Sequence, residues 1–528
     1  MKLRPCLVLS FLTFTLSAVA ADYYVDAHHG SDLNTGRSGN DDGEKSGPWR
    51  TFAPINVHVF EPGDRILLKR GSRWEETLRP RGSGVAGQPV VIDAYGAGPL
   101  PQIALKGQVT PEAASTTGPY TQSACIHLEG QSHWTIRNLS LSNDDDDHPS
   151  NFSTGWRTGI FVRAPGDGEA DATGQHYTGF LFENLEIRRI DGAHGKQPPQ
   201  KNFNGGIIFL RQAGRFSGIV VQDCLLEDID GVGINFEGAW FKNDFPAYER
   251  FQNVIVRRNT IRRTGGDGAT VRSGSNAVFE SNRVYDVGYH GDGQTKAVAA
   301  LWTASCRNAL YQYNEIARTR KFELDGQPFD TDGADTGLVV VQYNYTHDNE
   351  GGFFLWCTPT ARHKDGTHAS PRVFLRSNVS VNDGRKEKEP ALVHNAGWRP
   401  ADITAENNVF YHETGIPLWR GKYKNFNGNF SKNVFYFHDS QPSYPGLTLK
   451  NNVFYPAEAF AESGDSNLHF DPRLVNPGQY GDGYAFYRNF LPKNDSPLVR
   501  QGIGPREPPV NTMSTHADYA AFFENYPK

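Results

Sequence analysis

The chain has 528 residues, of which 38% are hydrophobic, 12% aromatic and 21% charged, with 55 Gly and 32 Pro. A mean hydropathy of -0.56 excludes a polytopic membrane protein, and enough aromatics are present to build a core, which argues against disorder. Lys and Arg total 53 against 59 Asp and Glu, a formal charge of -6 without any basic run, so nucleic acid is not an expected partner.

The first element in chain order reads as an export signal. Lys2 and Arg4 form a short positive start, Leu7 to Leu16 is an apolar stretch too short to span a bilayer, and Ala18-Val19-Ala20 is a small-residue cleavage pattern. Residues 1–20 are therefore expected to be a signal peptide, and the mature chain to be secreted or periplasmic, monomeric and without a membrane span. Cys125, Cys224, Cys306 and Cys357 are scattered and form no CxxC pair. Buried core thiols are expected rather than a zinc site or a disulfide framework.

From residue 138 onward one pattern recurs: a short strand, a polar residue, Asn, and a second short strand. It appears as FLFENLEI around Asn184, VIVRRNTI around Asn259, AVFESNRV around Asn282, ALYQYNEI around Asn314 and VVVQYNYT around Asn344. Further copies surround Asn378, Asn408, Asn433 and Asn452; Asn138 opens the series and Asp223 takes the place once. The step is about 30 residues, in the range of solenoids. Val, Ile, Phe and Tyr alternate with polar residues, which is strand periodicity. Asn at a tight bend tolerates the left-handed conformation, and its amide can bond to the next turn, so stacked copies predict an Asn ladder. A third, Gly-led strand follows in GIIFLR, GINFEG, GATVRSG, AALWTAS and GFFLWC. Three short strands per coil predict an all-β parallel β-helix. No amphipathic helical pattern recurs between strands, which excludes a βαβ architecture.

The opening YYVDAHHGSDLNTG, then PWRTF, EPGDRILLKRG and VIDAYG, together with the closing FDPRLVNPG and SPLV, resembles exported right-handed parallel β-helix proteins of the pectin-lyase-like superfamily. The resemblance implies a superfamily rich in polysaccharide lyases and glycoside hydrolases. It divides the chain into a cap and first coils (21–125), a β-helix catalytic domain (126–456) and looser end coils and tail (457–528).

In such folds one sheet carries the carbohydrate cleft, and the Gly-led strands are assigned to it. Strict alternation turns Phe161, Arg163, Asn235, Glu237, Thr270 and Arg272 outward. Trp302, Trp356, His394 and Trp419 are expected as wall or floor residues, stacking on sugar. Arg163, Arg211 and Arg272 would suit an acidic glycan. The sharpest constellation is Phe329-Asp330-Thr331-Asp332-Gly333-Ala334-Asp335, with Asp330 and Asp332 outward and about 6.5–7 Å apart by strand rise. That is the lower end of the separation for inverting hydrolysis. The next coil adds Asp348 and Glu350. Thr331 to Asp335 also resembles the N-T-D-G-x-D motif of polygalacturonase-type hydrolases, in which Asp332 matches the first catalytic Asp. The match is local: Asp330 replaces the motif's Asn, and its G-H-G and R-I-K partners are missing. Gly265-Gly266-Asp267-Gly268 with Arg272 is partly similar to calcium-dependent pectate lyases, which implies calcium as a candidate ligand; no cofactor is otherwise required.

The expected activity is hydrolysis of a polysaccharide or oligosaccharide, with Asp332 as the first catalytic carboxylate and Asp330, Asp335, Asp348 or Glu350 as its partner. The alternatives are a polysaccharide lyase with Arg272 or His394 as base, and a glycan-binding solenoid without catalysis.

Overall fold

The computed structural model describes residues 19–40, 43, 45–107, 122–145, 156–165, 175–192, 203–211, 214–238, 250–290, 297–332, 336–357, 371–386, 391–396, 402–421, 427–437, 447–456 and 466–526. The expected signal peptide lies almost wholly outside them. Among the described residues no helix is long and apolar enough to cross a membrane.

Short strands stack into three parallel sheets of 14, 13 and 10 strands. One coil visits each in turn: Thr336–Gln342 in the first, Tyr345–His347 in the second and Phe354–Cys357 in the third. The Gly-led strands all belong to the third sheet. Stacking begins early, because Asp22–Val25 pairs with Arg65–Lys69, which pairs with Val90–Tyr95, before any residue of the expected catalytic domain. Registers hold from coil to coil, so like residues lie over like: Phe279 stacks on Tyr311 at 5.0 Å, and Phe410, Phe435 and Phe454 follow at 5.4 and 4.9 Å. Alternate residues of all three sheets meet in one continuous core.

At the corner between the first and second sheets, Asn259, Asn282, Asn314, Asn344, Asn378, Asn408, Asn433, Asn452 and Asn467 lie one above the next. The Asn344 amide donates to the Tyr311 carbonyl at 2.9 Å and to Asn378 Oδ1 at 3.0 Å, while its own Oδ1 accepts from the backbone and side-chain amides of Asn314. The same pattern repeats at each neighbour. Two expectations are corrected here. The left-handed residue is the one before the ladder Asn, as at Arg258, Ser281, Tyr313, Tyr343 and Ser377. Asn138, Asn184 and Asp223 occupy that left-handed place themselves, and the ladder position in their coils is filled by Leu139, Leu185 and Cys224, all buried.

The stretch expected to be a looser end is docked on the outside of the coils. Tyr487, Phe490 and Leu498 pack on Tyr345, Val379 and Val409 of the second sheet. The helix His516–Asn525, closed by a capping box at Thr515 and Asp518, lays Tyr519 and Phe523 on Ile255, Val278, Leu310 and Val340 of the first.

Replacing Asn344 by Ala should remove two donated and two accepted hydrogen bonds in a dry corner. At about 1–3 kcal/mol for each buried group left unpaired, urea unfolding should show a large loss of stability. Asn184→Gly should be close to neutral, since Gly adopts the left-handed conformation without strain. Equal losses in the two variants would contradict the distinction between ladder and left-handed positions.

Candidate active site

Pairing in the third sheet sets two outward rows. One runs His127, Phe161, Ile208, Asn235, Thr270, Trp302, Asp330, Leu355, His394 and Arg420. The other begins Glu129, Arg163, Leu210 and Glu237, and its later strands contribute Arg272, Ala304, Asp332 and Cys357. The alternating residues face inward, which corrects two expectations. Trp356 pairs with Thr331, Trp419 pairs with Val393, and both indoles belong to the core rather than to a sugar platform. Arg211 falls on the inward phase at its strand end, beside Ala164, and ties the Gly214 carbonyl at 3.0 Å.

The N-terminal half of this face is closed on itself. Phe161, Ile208 and Leu210 form an apolar cluster. Glu129 holds Arg163 at 2.8 Å and Arg79 at 2.5 Å. Glu237 grips Arg272 at 3.0 and 3.1 Å and accepts from Asn235, which in turn accepts from Thr270. The Arg272 guanidinium lies 4.8 Å over the Trp302 ring. Arg163 and Arg272 therefore neutralise carboxylates of the protein, which removes the reason to expect an acidic glycan or Arg272 as a base.

The C-terminal half carries reactive groups. Asp330 and Asp332 point outward from the strand Phe329–Asp332; Asp330 is 4% exposed, whereas Asp332 is half-buried. Cys357 lies beside Asp332 in the next coil. Its thiol is raised by burial, then by the charges of Asp332 and Asp330, a hydrogen bond with Asp332 and the charge of Asp325. It stays protonated and is no thiolate nucleophile, nor is it one of the core thiols, unlike the buried Cys125, Cys224 and Cys306. None of the four described cysteines forms a disulfide. Asp325 was missed in the sequence because it stands in an Asp-Gly turn. It is half-buried on the short strand Leu324–Asp325 that enters this coil of the third sheet.

His394 is pushed down to about 4 by burial and then by Lys321. Lys321 is itself lowered by burial and by Arg420, with Asp325 acting in the opposite direction. These groups act on one another: Asp325 on both Lys321 and Cys357, Arg420 on Lys321, and Lys321 on His394.

Asp348 and Glu350 are not brought into it. Asp348 pairs with Arg385 at 3.0 Å and His347 at 2.9 Å, on the corner after the second sheet. Glu350 accepts from the Lys321 amide at 2.6 Å and from Lys386 Nζ at 3.0 Å. Asp348 is thus held by side chains of its own corner, and Glu350 fastens the backbone turn at Lys321. Asp335 lies outside the described residues. Asp267 does not meet Asp332 either; it holds the Ala299 amide at 3.0 Å, two coils away, so a shared calcium site is not formed.

Breaking the buried pair with Glu237→Ala should cost about 3–5 kcal/mol by urea unfolding, because the buried Arg272 charge loses the carboxylate that grips it at two points. His394 should remain neutral down to about pH 4, read from its imidazole protons by NMR. An unfolded His protonates near 6.5, so the stabilising contribution of His394 is whole above 6.5 and is lost as pH falls towards 4. A rate limb at pH 6–7 that disappears in His394→Asn would contradict this.

Comparison with known proteins places this geometry. Residues 124–363 match the family model of the right handed beta helix region. The chain is 25% identical over 530 residues to the lacto-N-biosidase of Bifidobacterium longum subsp. longum, an alignment covering 82% of this chain and 31% of that protein. It thus spans less than a third of the length of the curated relative it matches. The GH136 lacto-N-biosidase from Eubacterium ramulus superposes with a TM-score of 0.61 at 25% identity, over 79% of this chain and 68% of that one. In its coils, its registers and its match to that crystal structure, this chain is a right-handed parallel β-helix protein similar to GH136 lacto-N-biosidase.

Proposed function

We propose that the chain is a glycoside hydrolase that binds an oligosaccharide against the C-terminal half of the third sheet. Asp332 and Asp325 are the two carboxylates that meet substrate, and Asp330, outward on the same strand as Asp332, is buried. The observation that carries this reading is that Asp332, Asp330 and, more weakly, Asp325 all act on the Cys357 thiol, with Asp332 and Asp325 half-buried and Asp330 buried. Glycoside hydrolysis needs two such groups, one to protonate the leaving oxygen and one to attack the anomeric carbon or activate water. The similarity to lacto-N-biosidases supports the reaction class and makes an aryl lacto-N-bioside the first substrate to assay. The pairing of Arg163 and Arg272 within the protein favours a neutral glycan over a uronate. The spacing along one strand that suggested inversion joins Asp332 to the buried Asp330, so stereochemistry rests on the Asp325–Asp332 pair and is read from the anomer released. Export rests on the signal-like first twenty residues.

Asp332→Asn and Asp325→Asn should each lower kcat at least ~100-fold without shifting Tm, since neither side chain belongs to the core. A substrate with an activated leaving group should restore turnover in whichever variant has lost the general acid, and NMR of the first product identifies inversion or retention. Normal turnover with a lowered Tm in Asp332→Asn would remove that residue from the reaction. An ultraviolet-absorbing unsaturated product would instead mark a lyase.

A further inference from the structure

We propose that Glu315, His347 and Asp482 form a site for a divalent transition-metal ion of the zinc class, which clamps the C-terminal segment to the outside of the second sheet. Glu315 begins the strand Glu315–Ala317, and His347 ends the strand Tyr345–His347 in the coil above. Residues 481–484 lie across them: Gly481 O accepts from the Tyr345 hydroxyl at 3.1 Å, and the Gly483 amide donates to Glu315 Oε1. One donor atom from each of Glu315, His347 and Asp482 falls within 4.8 Å of the other two.

The chemistry of the three side chains fits a cation. Glu315 and His347 are each 1% exposed, and Glu315 Oε2 and His347 Nε2 are buried with no hydrogen-bond partner in suitable geometry. A buried imidazole nitrogen without a partner is costly, and a bound cation removes that cost. The Tyr285 hydroxyl reaches the Glu315 carboxylate as well: it is raised by burial, then by a hydrogen bond with Glu315 and by that group's charge.

His347 is also oriented as a ligand. Its Nδ1 lies 2.9 Å from Asp348 Oδ2, and Arg385 holds the other oxygen of Asp348 at 3.0 Å. A carboxylate on Nδ1 keeps the proton there and leaves the Nε2 lone pair facing Asp482 Oδ1, 3.5 Å away. This is the carboxylate–imidazole support found behind metal-bound histidines. Arg318 donates to both oxygens of Asp482, at 2.6 and 3.1 Å, and so fixes the exposed third ligand while leaving lone pairs for an ion. One imidazole nitrogen with two carboxylates suits zinc and its neighbours, whereas calcium prefers oxygen alone.

The full chain, dialysed against a chelator, should be titrated calorimetrically with zinc chloride and, separately, calcium chloride, and melted with and without zinc. The expected result is one equivalent of zinc, a Tm that rises with zinc concentration, and little heat from calcium. Asp482→Asn, at an exposed position, should fold and lose the zinc-dependent rise. Asp348→Asn should weaken zinc binding by about 10–100-fold while keeping the stoichiometry. Absence of zinc binding by the wild-type chain would overturn the proposal. So would an unchanged zinc response in Asp482→Asn, since the ion would then be held elsewhere on the chain.

Discussion

A chain that turns sharply once per coil must bury backbone carbonyls at every corner, and the whole solenoid depends on how those groups are satisfied. From Asn259 onward the stacked Asn residues do this by giving one N–H to a carbonyl of the coil below and the other to the next Asn. Each amide is saturated, so the corner can be dry and the coils can close-pack. The hold is firm enough to keep Tyr313 and Tyr343 left-handed, a conformation that costs an L-residue about 1–2 kcal/mol. Their rings stack 5.5 Å apart at 7°, which offsets part of that cost.

Constant register at the corner gives constant register on the faces. Once Trp302, Asp330, Leu355 and His394 are fixed as a row, the chemistry of the third sheet depends only on which side chain each coil supplies. The early coils supply pairs that neutralise one another, Glu129 with Arg163 and Glu237 with Arg272. The later ones supply carboxylates beside a neutral imidazole and a protonated thiol. A fold of this kind constrains where chemistry can be placed far more than which chemistry it is.

Strand periodicity made the coil, the sheet assignment and the outward direction of Asp330, Asp332, Arg163 and Arg272 legible from the residues alone. Size and polarity were poorer guides. Trp356 and Trp419 looked like a sugar platform, yet the β-helix interior is wide enough for an indole, and alternation outranks residue type. Asn138, Asn184 and Asp223 read as ladder members because a left-handed corner and a hydrogen-bonded ladder favour the same letters one position apart. Asp325 was hidden by its Asp-Gly turn, a sequence that usually has only a conformational role. Asp348 and Glu350 were misplaced because nearness in sequence was taken for nearness on the sheet, while the corner between the second and third sheets directs them to Arg385 and Lys386.

The helix His516–Asn525 adds a temporal constraint. Tyr519 donates to Glu280 across 239 positions, and its neighbours cover Ile255, Val278, Leu310 and Val340. Coils can stack one on the next as they are synthesised, each needing only the coil before it. The outer face of the first sheet, in contrast, stays uncovered until residues 516–525 exist. Loop length adds little to the equilibrium cost of that late contact, because closure entropy grows only logarithmically. It matters for kinetics: a nascent solenoid carries this apolar strip along its flank until the helix arrives to pack on it, and exposed apolar surface of that kind favours aggregation.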